Sequence, residues 1–208
     1  MKIFYTLIPL LAGAAMLAPA ATLAGQGSEF EFDPAQTKVE FTLGDVLHTV
    51  HGTFALKRGD LRFDENTGRA AGELVVDAGS GNSGSHARDS RMNKNVLESG
   101  KYQEIVFRPD RVIGTIAPQG ASQVQLHGVF TIHGADHELT LPVEVRSGAG
   151  QYTATAHFSV PYVEWGMKNP SNFLLHVSPA VDITVRTVAH PVQPASAPAL
   201  PATLAPAP

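Results

Sequence analysis

The sequence predicts an all-β domain built mostly from antiparallel strands. Three observations support this fold class: apolar and polar residues alternate in several segments, short stretches rich in Gly, Asp and Asn separate those segments, and the segments recur at regular spacing. Alternation with a period of two is typical of strands that have one buried and one solvated face. Strands of parallel sheets, which are buried on both faces, would be continuously apolar instead. The regular spacing indicates a barrel or a sandwich.

The individual strands follow from this pattern. In the clearest one, the residues that share a face are Val124, Leu126, Gly128, Phe130 and Ile132. Turn signals such as residues 57–60, 64–68 and 147–150 join neighbouring strands. About eight strands result if the second and third segments form one bent strand. The predicted segments cover residues 37–43, 48–56, 60–64, 70–78, 104–114, 122–133, 137–147, 151–161 and 179–189.

One stretch, residues 85–97, breaks the alternation and predicts a short helix. Ser85 is suited to the N-cap position, and Arg88, Met92 and Val96 share one helical face, with Gly100 just past the end. A single helix between two halves of a sheet can close one end of a barrel.

Composition excludes several classes of protein. The 208 residues carry a net charge of -4, and no Lys/Arg cluster forms the basic stripe that nucleic-acid binding requires. The chain has no cysteine, so disulfides, thiolate nucleophiles, Cys-ligated zinc and a lipidated cysteine are excluded. The fold must therefore depend on its own hydrophobic core.

Both ends differ from the domain between them. Residues 1–24 have Lys2 followed by an uncharged, Leu- and Ala-rich run, which indicates a signal peptide cleaved after Ala24 and a periplasmic or secreted protein. The alternative is an uncleaved membrane anchor; after cleavage we expect no stable membrane insertion. Residues 191–208 are mostly Pro and Ala, which predicts a disordered tail. The domain itself is expected to span residues 29–190.

No motif indicates catalysis or a cofactor. Residues 79–84 match G-x-G-x-x-G after a strand, but repeated strand–helix alternation is missing, so a flexible loop is the better interpretation. The histidines lack tight metal-ligand spacing, although His133 and His137 flank a turn and could approach one another. A G-x-S-x-G nucleophile elbow is absent from the sequence. We therefore predict a protein that is not an enzyme and has neither cofactor nor metal.

Several segments together resemble the YceI-like family. They are Val50-His51-Gly52-Thr53-Phe54, Arg88-Asp89 at the helix start, Phe130-Thr131-Ile132-His133-Gly134 leading into Leu139-Thr140-Leu141-Pro142-Val143, and Trp165-Gly166-Met167. The resemblance implies an extended antiparallel eight-stranded lipocalin-like barrel with one short helix capping an end. It also implies an apolar channel for polyisoprenoid lipids such as quinones or isoprenyl phosphates. The chain departs from the family after Arg88-Asp89, because Arg91-Met92 and Val96-Leu97-Glu98 stand where the family has His-Leu and Phe-Phe-Asp.

A channel requires an interior that side chains leave open. Inward-facing Gly72, Gly128, Ala154 and Ala156 would leave room along the axis, whereas the alternative is an interior filled by phenylalanines. The residues predicted to line the channel are Phe41, Leu43, Phe54, Leu74, Val76, Met92, Leu97, Phe107, Leu126, Phe130, Ile132, Leu139, Leu141, Phe158, Trp165, Met167 and Ile183.

Arg88 and Lys168 are the candidate contacts to a lipid head group. The alternative for Arg88 and its neighbour Asp89 is a role in the first helical turn, where a carboxylate is favoured.

The leading functional hypothesis is therefore non-enzymatic binding or transport of an isoprenoid-like lipid, of quinone or polyprenyl type, in the bacterial envelope. Two alternatives stay open: a ligand-free envelope interaction or stress-protection module, and a secreted hydrolase. The expected partner is an apolar lipid and not a nucleic acid, and the sequence leaves both a monomer and a homodimer open.

Overall fold

The computed structural model describes residues 27–44, 49–171 and 176–192. The predicted signal peptide, residues 1–24, and nearly all of the predicted tail, residues 191–208, lie outside the described residues. Ten strand segments are present in the described part of the chain. They are β1 (Gly27–Phe32), β2 (Lys38–Gly44), β3 (Thr49–Phe54), β4 (Leu56–Asp64), β5 (Ala70–Asp77), β6 (Glu104–Ile113), β7 (Gly120–Ile132), β8 (Ala135–Gly148), β9 (Gln151–Val160) and β10 (Val181–Pro191).

These ten segments form a closed antiparallel barrel of eight strands. β10 pairs along one edge with β9 and along the other with β2 and then β1, so β1 and β2 act as one interrupted strand. A 3₁₀ turn at Pro34–Gln36, capped by the Asp33 side chain, makes the interruption. β3 and β4 pair with β2 and β1 respectively, so they form one strand bent at Ala55. The remaining order, β4 to β10 in sequence, closes the ring, and the predicted fold class is confirmed.

β1 is the strand that the alternation did not predict. Its pattern rests on Phe30 and Phe32, which are buried, while Gly27, Ser28 and Glu29 before them give no apolar alternation. β1 is held by its ladders to β4 and to the last residues of β10. Such pairing comes from distant parts of the chain and leaves no local signal.

The predicted helix is present between β5 and β6. α1 (His86–Arg91) continues into a π-helical turn, Met92–Val96. Ser85 occupies the N-cap position, as predicted, but its side chain makes no capping hydrogen bond. The left-handed residue that ends the helix is Glu98, with φ 47°, rather than Gly100. None of the helices in the described residues is long and apolar enough to cross a membrane.

The two ends of the barrel differ. At the end where β4 turns into β5 and β6 into β7, which we call the packed end, the interior is filled by buried side chains. Phe30 stacks on Phe63, with ring centroids 5.9 Å apart, and meets Tyr152 edge-on at 4.8 Å. Val112 and Val145 are buried in the same cluster. The other end, where β2, β5, β7 and β9 finish, carries α1 and is called the helix end.

Two glycines do not have the role that the sequence predicted for them. A Cβ at Gly128 would lie 2.3 Å from the carbonyl oxygen of Arg108, at a point where the register of β6 shifts between Pro109 and Arg111. Gly72 has φ 132°, and a Cβ there would lie 2.4 Å from the carbonyl oxygen of Asp60. Both glycines admit a neighbouring backbone rather than leave space inside the barrel.

Candidate functional site

A cavity of about 520 Å³ occupies the helix end of the barrel interior. Its size lies within the range of small-molecule binding sites. The barrel wall supplies mostly aliphatic and aromatic side chains, and α1 covers one side. Because buried side chains fill the packed end, the cavity stops at the level of Ala154 and Thr187 and is a pocket rather than a tunnel through both ends.

Most of the residues predicted to line a channel lie along the wall of this cavity. They are Phe41, Leu43, Phe54, Leu74, Val76, Met92, Leu97, Phe107, Leu126, Phe130, Ile132, Leu141, Phe158, Met167 and Ile183. Ala154 and Ala156, predicted as small inward residues, are also in the lining. These side chains thus form much of the wall of the cavity, and their contact with a ligand stays a prediction.

The phenylalanines lie along the wall and do not fill the interior. The rings of Phe41 and Phe54 pack against each other at 5.4 Å between centroids, and those of Phe130 and Phe158 at 6.1 Å. Rings at such distances pack against each other edge to face or obliquely, so each ring covers part of the surface of its neighbour. The alternative of a filled interior therefore does not describe the helix end.

Three residues predicted at the site lie outside the lining. Leu139 pairs with Gly128 and packs against the core, and the indole of Trp165 lies behind Phe130, with ring centroids 5.9 Å apart. Lys168 is exposed, because the neighbouring Met167 is the one that points inward and is only 3% exposed.

Other residues that line the cavity were not predicted from the sequence. Some lie in strands that were predicted, and their signal was the same alternation: Val39, Leu56, Ile105, Val143, Val160, Val181 and Val185. Phe32 lies in β1, which the alternation did not predict. Tyr162 continues the series of Phe158 and Val160, although it lies beyond the end of β9 in an irregular turn. Its hydroxyl donates to the carbonyl oxygen of Ser178 at 2.7 Å, and burial raises its pKa.

Polar groups border the cavity where α1 begins. Ser83, Ser85, Arg88 and Arg91 are part of the lining. Two hydrogen bonds from the α1 residue Arg88 fix the position of Ser83. Arg88 Nε donates to Ser83 Oγ at 2.7 Å, and Arg88 Nη2 donates to the Ser83 carbonyl oxygen at 2.8 Å.

Asp89 completes this arrangement. Its Oδ1 accepts hydrogen bonds from the backbone N–H of Ser83 at 2.9 Å and from Ser83 Oγ at 2.5 Å. The side-chain hydrogen bond from Ser83 is the main cause of a lowered Asp89 pKa. Arg88 therefore anchors the first helical turn and also borders the cavity, while its contact with a head group stays a prediction.

The loop before the helix is shaped by a close contact. A Cβ at Gly81 would lie 2.3 Å from Met92 Cε and 2.8 Å from Phe54 Cε1. Glycine at this position lets the side chain of Met92 lie over the loop and against the wall of the cavity. Residues 79–84, which match the dinucleotide pattern, thus form a loop against which the helical segment packs.

The described residues add no support to the hydrolase alternative. Within residues 27–44, 49–171 and 176–192, no serine hydroxyl is hydrogen-bonded to a histidine. The described part of the chain also holds no group of three His, Asp or Glu side chains that could bind a metal. His133 and His137 each contact a different aromatic ring, Tyr102 at 4.6 Å and Trp165 at 3.9 Å between centroids.

A sequence model of the YceI-like domain matches residues 30–189. Among curated proteins none matches the chain significantly. The chain is similar in structure to Burkholderia cenocepacia BcnA, at 16% identity and a TM-score of 0.64, with 76% of this chain and 98% of that chain covered.

Two further solved structures show the same fold. A polyisoprenoid binding domain from Saccharophagus degradans, implicated in plant cell wall breakdown, has 16% identity and a TM-score of 0.62, with 78% of this chain and 98% of that chain covered. The YCEI protein of Campylobacter jejuni has 11% identity and a TM-score of 0.51, with 93% and 94% covered.

Proposed function

Because the chain belongs to the YceI-like domain family, we propose that it binds an isoprenoid-like lipid, of quinone or polyprenyl type, without catalysing a reaction. The observation that carries the proposal is the apolar cavity of about 520 Å³ inside a closed barrel. A solved structure of similar fold is a polyisoprenoid binding domain. From the leader pattern in residues 1–24 we further propose that the protein acts in the periplasm or outside the cell.

The energetics of such a cavity favour a hydrocarbon chain. Each methylene-sized group that leaves water for an apolar wall contributes about 0.8 kcal/mol. A ligand of several isoprene units would therefore bind chiefly through burial and shape, with few polar contacts. A branched, unsaturated chain suits a wall in which aromatic rings alternate with the small Ala154 and Ala156.

The head group is proposed to lie near the start of α1. Arg88 and Arg91 both border the cavity, and a guanidinium can donate to a phosphate or to a quinone carbonyl. Two of the Arg88 nitrogens already donate to Ser83, so Arg91 would make the more adaptable contact. Lys168 does not border the cavity, and the head-group proposal does not depend on it.

Native mass spectrometry of protein purified without detergent tests the proposal. We expect an adduct of lipid mass on the wild type, which organic extraction would release for identification. Ala156→Phe should lose most of the adduct, because its ring would occupy the cavity. Thr153→Phe is the matched control, since Thr153 lies on the same strand but faces solvent.

The outcomes separate clearly. Equal adduct occupancy on Ala156→Phe and the wild type would show that the lipid binds elsewhere. Repeated purification of the wild type from bacterial envelopes without any adduct would contradict lipid binding altogether. Circular dichroism of each variant would check that the barrel still forms.

A further inference from the structure

The segment that covers the cavity carries an excess of positive charge. Residues 86–101 contain the cations Arg88, Arg91, Lys94 and Lys101 against the carboxylates Asp89 and Glu98. The whole chain has a net charge of -4, so the charge outside this segment is more negative still. Any attraction to an anionic surface must therefore come from this local patch and not from the protein as a whole.

Three of these cations reach the protein surface, although Arg88 also donates from Nε and Nη2 to Ser83. Arg88, Arg91 and Lys94 are exposed, and none of them forms an ion pair with a carboxylate among the described residues. They are spaced three residues apart along α1 and the π-helical turn that follows it. Residues at this spacing lie close together on a helical surface.

The carboxylates of the same segment are turned to other partners. Asp89 accepts from Ser83, beneath the first helical turn. Glu98 Oε2 lies 3.6 Å from His133 Nε2, on the side of the segment next to the β7–β8 turn. The outward surface of the helix therefore presents mainly its cations.

The position of this patch relates it to the cavity. Arg88 and Arg91 border the cavity directly, and Lys94 lies one turn further along the helix. By contrast, the large hydrophobic side chains that are exposed among the described residues, Ile113 and Val192, lie at the packed end. Adsorption through the helix end would therefore be electrostatic.

We propose that the face formed by Arg88, Arg91 and Lys94 docks the protein on an anionic phospholipid bilayer, with the cavity opening toward the membrane surface. The choice of a bilayer over an acidic protein rests on the proposed lipid binding, since a lipid must pass between a membrane and the cavity. Each basic side chain close to an anionic leaflet adds to the affinity of the protein for the membrane. Dissolved salt screens this attraction beyond about one Debye length from the surface. Docking of this kind is reversible, which suits a protein that collects or delivers a lipid.

Vesicle co-sedimentation of the purified protein tests the docking. The probes are phosphatidylcholine vesicles with and without about one third phosphatidylglycerol, whose anionic head groups give the surface a negative potential. We expect binding to the anionic vesicles at low salt, loss of that binding at high salt, and little binding to phosphatidylcholine alone. Lys94→Gln should weaken partitioning about fivefold, and Lys94→Glu by more than about tenfold.

Lys38→Glu is the matched control. Lys38 is exposed at the start of β2, six residues before the helix end, and it forms no ion pair with a described residue. This variant changes the net charge as Lys94→Glu does but leaves the patch intact, so its partitioning should stay close to that of the wild type.

Several results would overturn the docking proposal. The first is equal adsorption to both vesicle types, which is the result that insertion of an apolar leader would give. Unchanged partitioning of Lys94→Glu is another, and equal losses for Lys94→Glu and Lys38→Glu would show that net charge alone decides.

Lipid content, measured on the same samples, separates this proposal from lipid binding itself. Lys94 does not line the cavity, so Lys94→Glu should retain its adduct while losing vesicle binding. A protein that binds anionic vesicles but never carries a lipid would contradict the proposed function and leave the docking face intact.

Discussion

The imidazole ring of His137 lies flat on the indole of Trp165, with ring centroids 3.9 Å apart and ring planes 9° from parallel. The ring of Phe130, which lines the cavity, contacts the same indole, with ring centroids 5.9 Å apart. His137 Nε2 is buried and has no hydrogen-bond partner among the described residues. Trp165 thus forms a second layer that holds the wall of the cavity in place from behind.

Removing this second layer should destabilise the barrel. Trp165→Ala would leave Phe130 and His137 without packing on one side, and we expect a loss of about 2 kcal/mol in the free energy of unfolding, since the indole is partly exposed. His137→Phe should change it by less than about 1 kcal/mol, because it keeps the stacking and removes a buried nitrogen that lacks a partner. Urea unfolding followed by circular dichroism measures both. A larger loss for His137→Phe than for Trp165→Ala would contradict this account.

The hydrogen bonds between Asp89 and Ser83 should make the helix sensitive to acid. The Asp89 pKa is lowered in the folded protein, so its stabilising effect is complete above the unfolded pKa of about 3.9 and is lost as pH falls through the folded pKa. We expect Asp89→Asn to be less stable than the wild type at pH 7 and the difference to shrink below about pH 4. The Ser83 amide chemical shift should titrate with Asp89 in the wild type.

Other carboxylates share this pH window and require a comparison. The pKa values of Asp33 and Glu104 are lowered as well, by hydrogen bonds from Gln36 and Lys57 respectively. Their contribution remains in Asp89→Asn, so the difference between the two proteins isolates Asp89. Asp182→Asn, at an exposed position on β10, serves as the control and should follow the wild type at every pH. A constant difference between Asp89→Asn and the wild type from pH 7 to pH 3 would refute the assignment.

Gly128 should not tolerate a side chain. The atoms that a Cβ would meet belong to the backbone of Arg108 and Pro109, which cannot move aside without breaking the β6–β7 ladder. We expect Gly128→Ala to lose about 2 kcal/mol or more in the free energy of unfolding. Gly148→Ala is the control, because nothing lies within 4 Å of its added Cβ, and it should be neutral or slightly stabilising. Equal stability of the two variants would contradict the close approach of the strands.

Gly128 also shows where sequence patterns stop being informative. Its place in the alternation predicted a small inward-facing residue, but the pattern could not show that the opposite strand carries a register shift at that point. The alternation is set by one strand alone and predicted lining residues such as Phe41, Phe107 and Ile183. What a small residue accommodates depends on the neighbouring strand.

How far the cavity extends along the barrel could likewise not be predicted from the sequence. Phe41 and Phe63 are both inward-facing phenylalanines in alternating strands, yet Phe41 lines the cavity and Phe63 is stacked in the packed end against Phe30. The difference comes from β1, which brings Phe30 into the barrel through pairing with both β4 and β10. Contacts that join strands so far apart in the chain have no local signature.

Removing the ligand should lower the stability of the protein without unfolding it. The closed ladder of strands does not depend on the cavity contents, and an apolar cavity can stay empty and dry. A ligand at a hundred times its dissociation constant stabilises the folded state by about 2.7 kcal/mol. For a domain of this size that corresponds to roughly 5–10 °C in Tm, so delipidated protein should melt lower by that amount and recover when lipid is added back. Ala156→Phe, whose cavity is occupied by its own ring, should melt at the same temperature before and after extraction. If extraction lowers the Tm of Ala156→Phe as much as that of the wild type, the lipid stabilises the protein from outside the cavity.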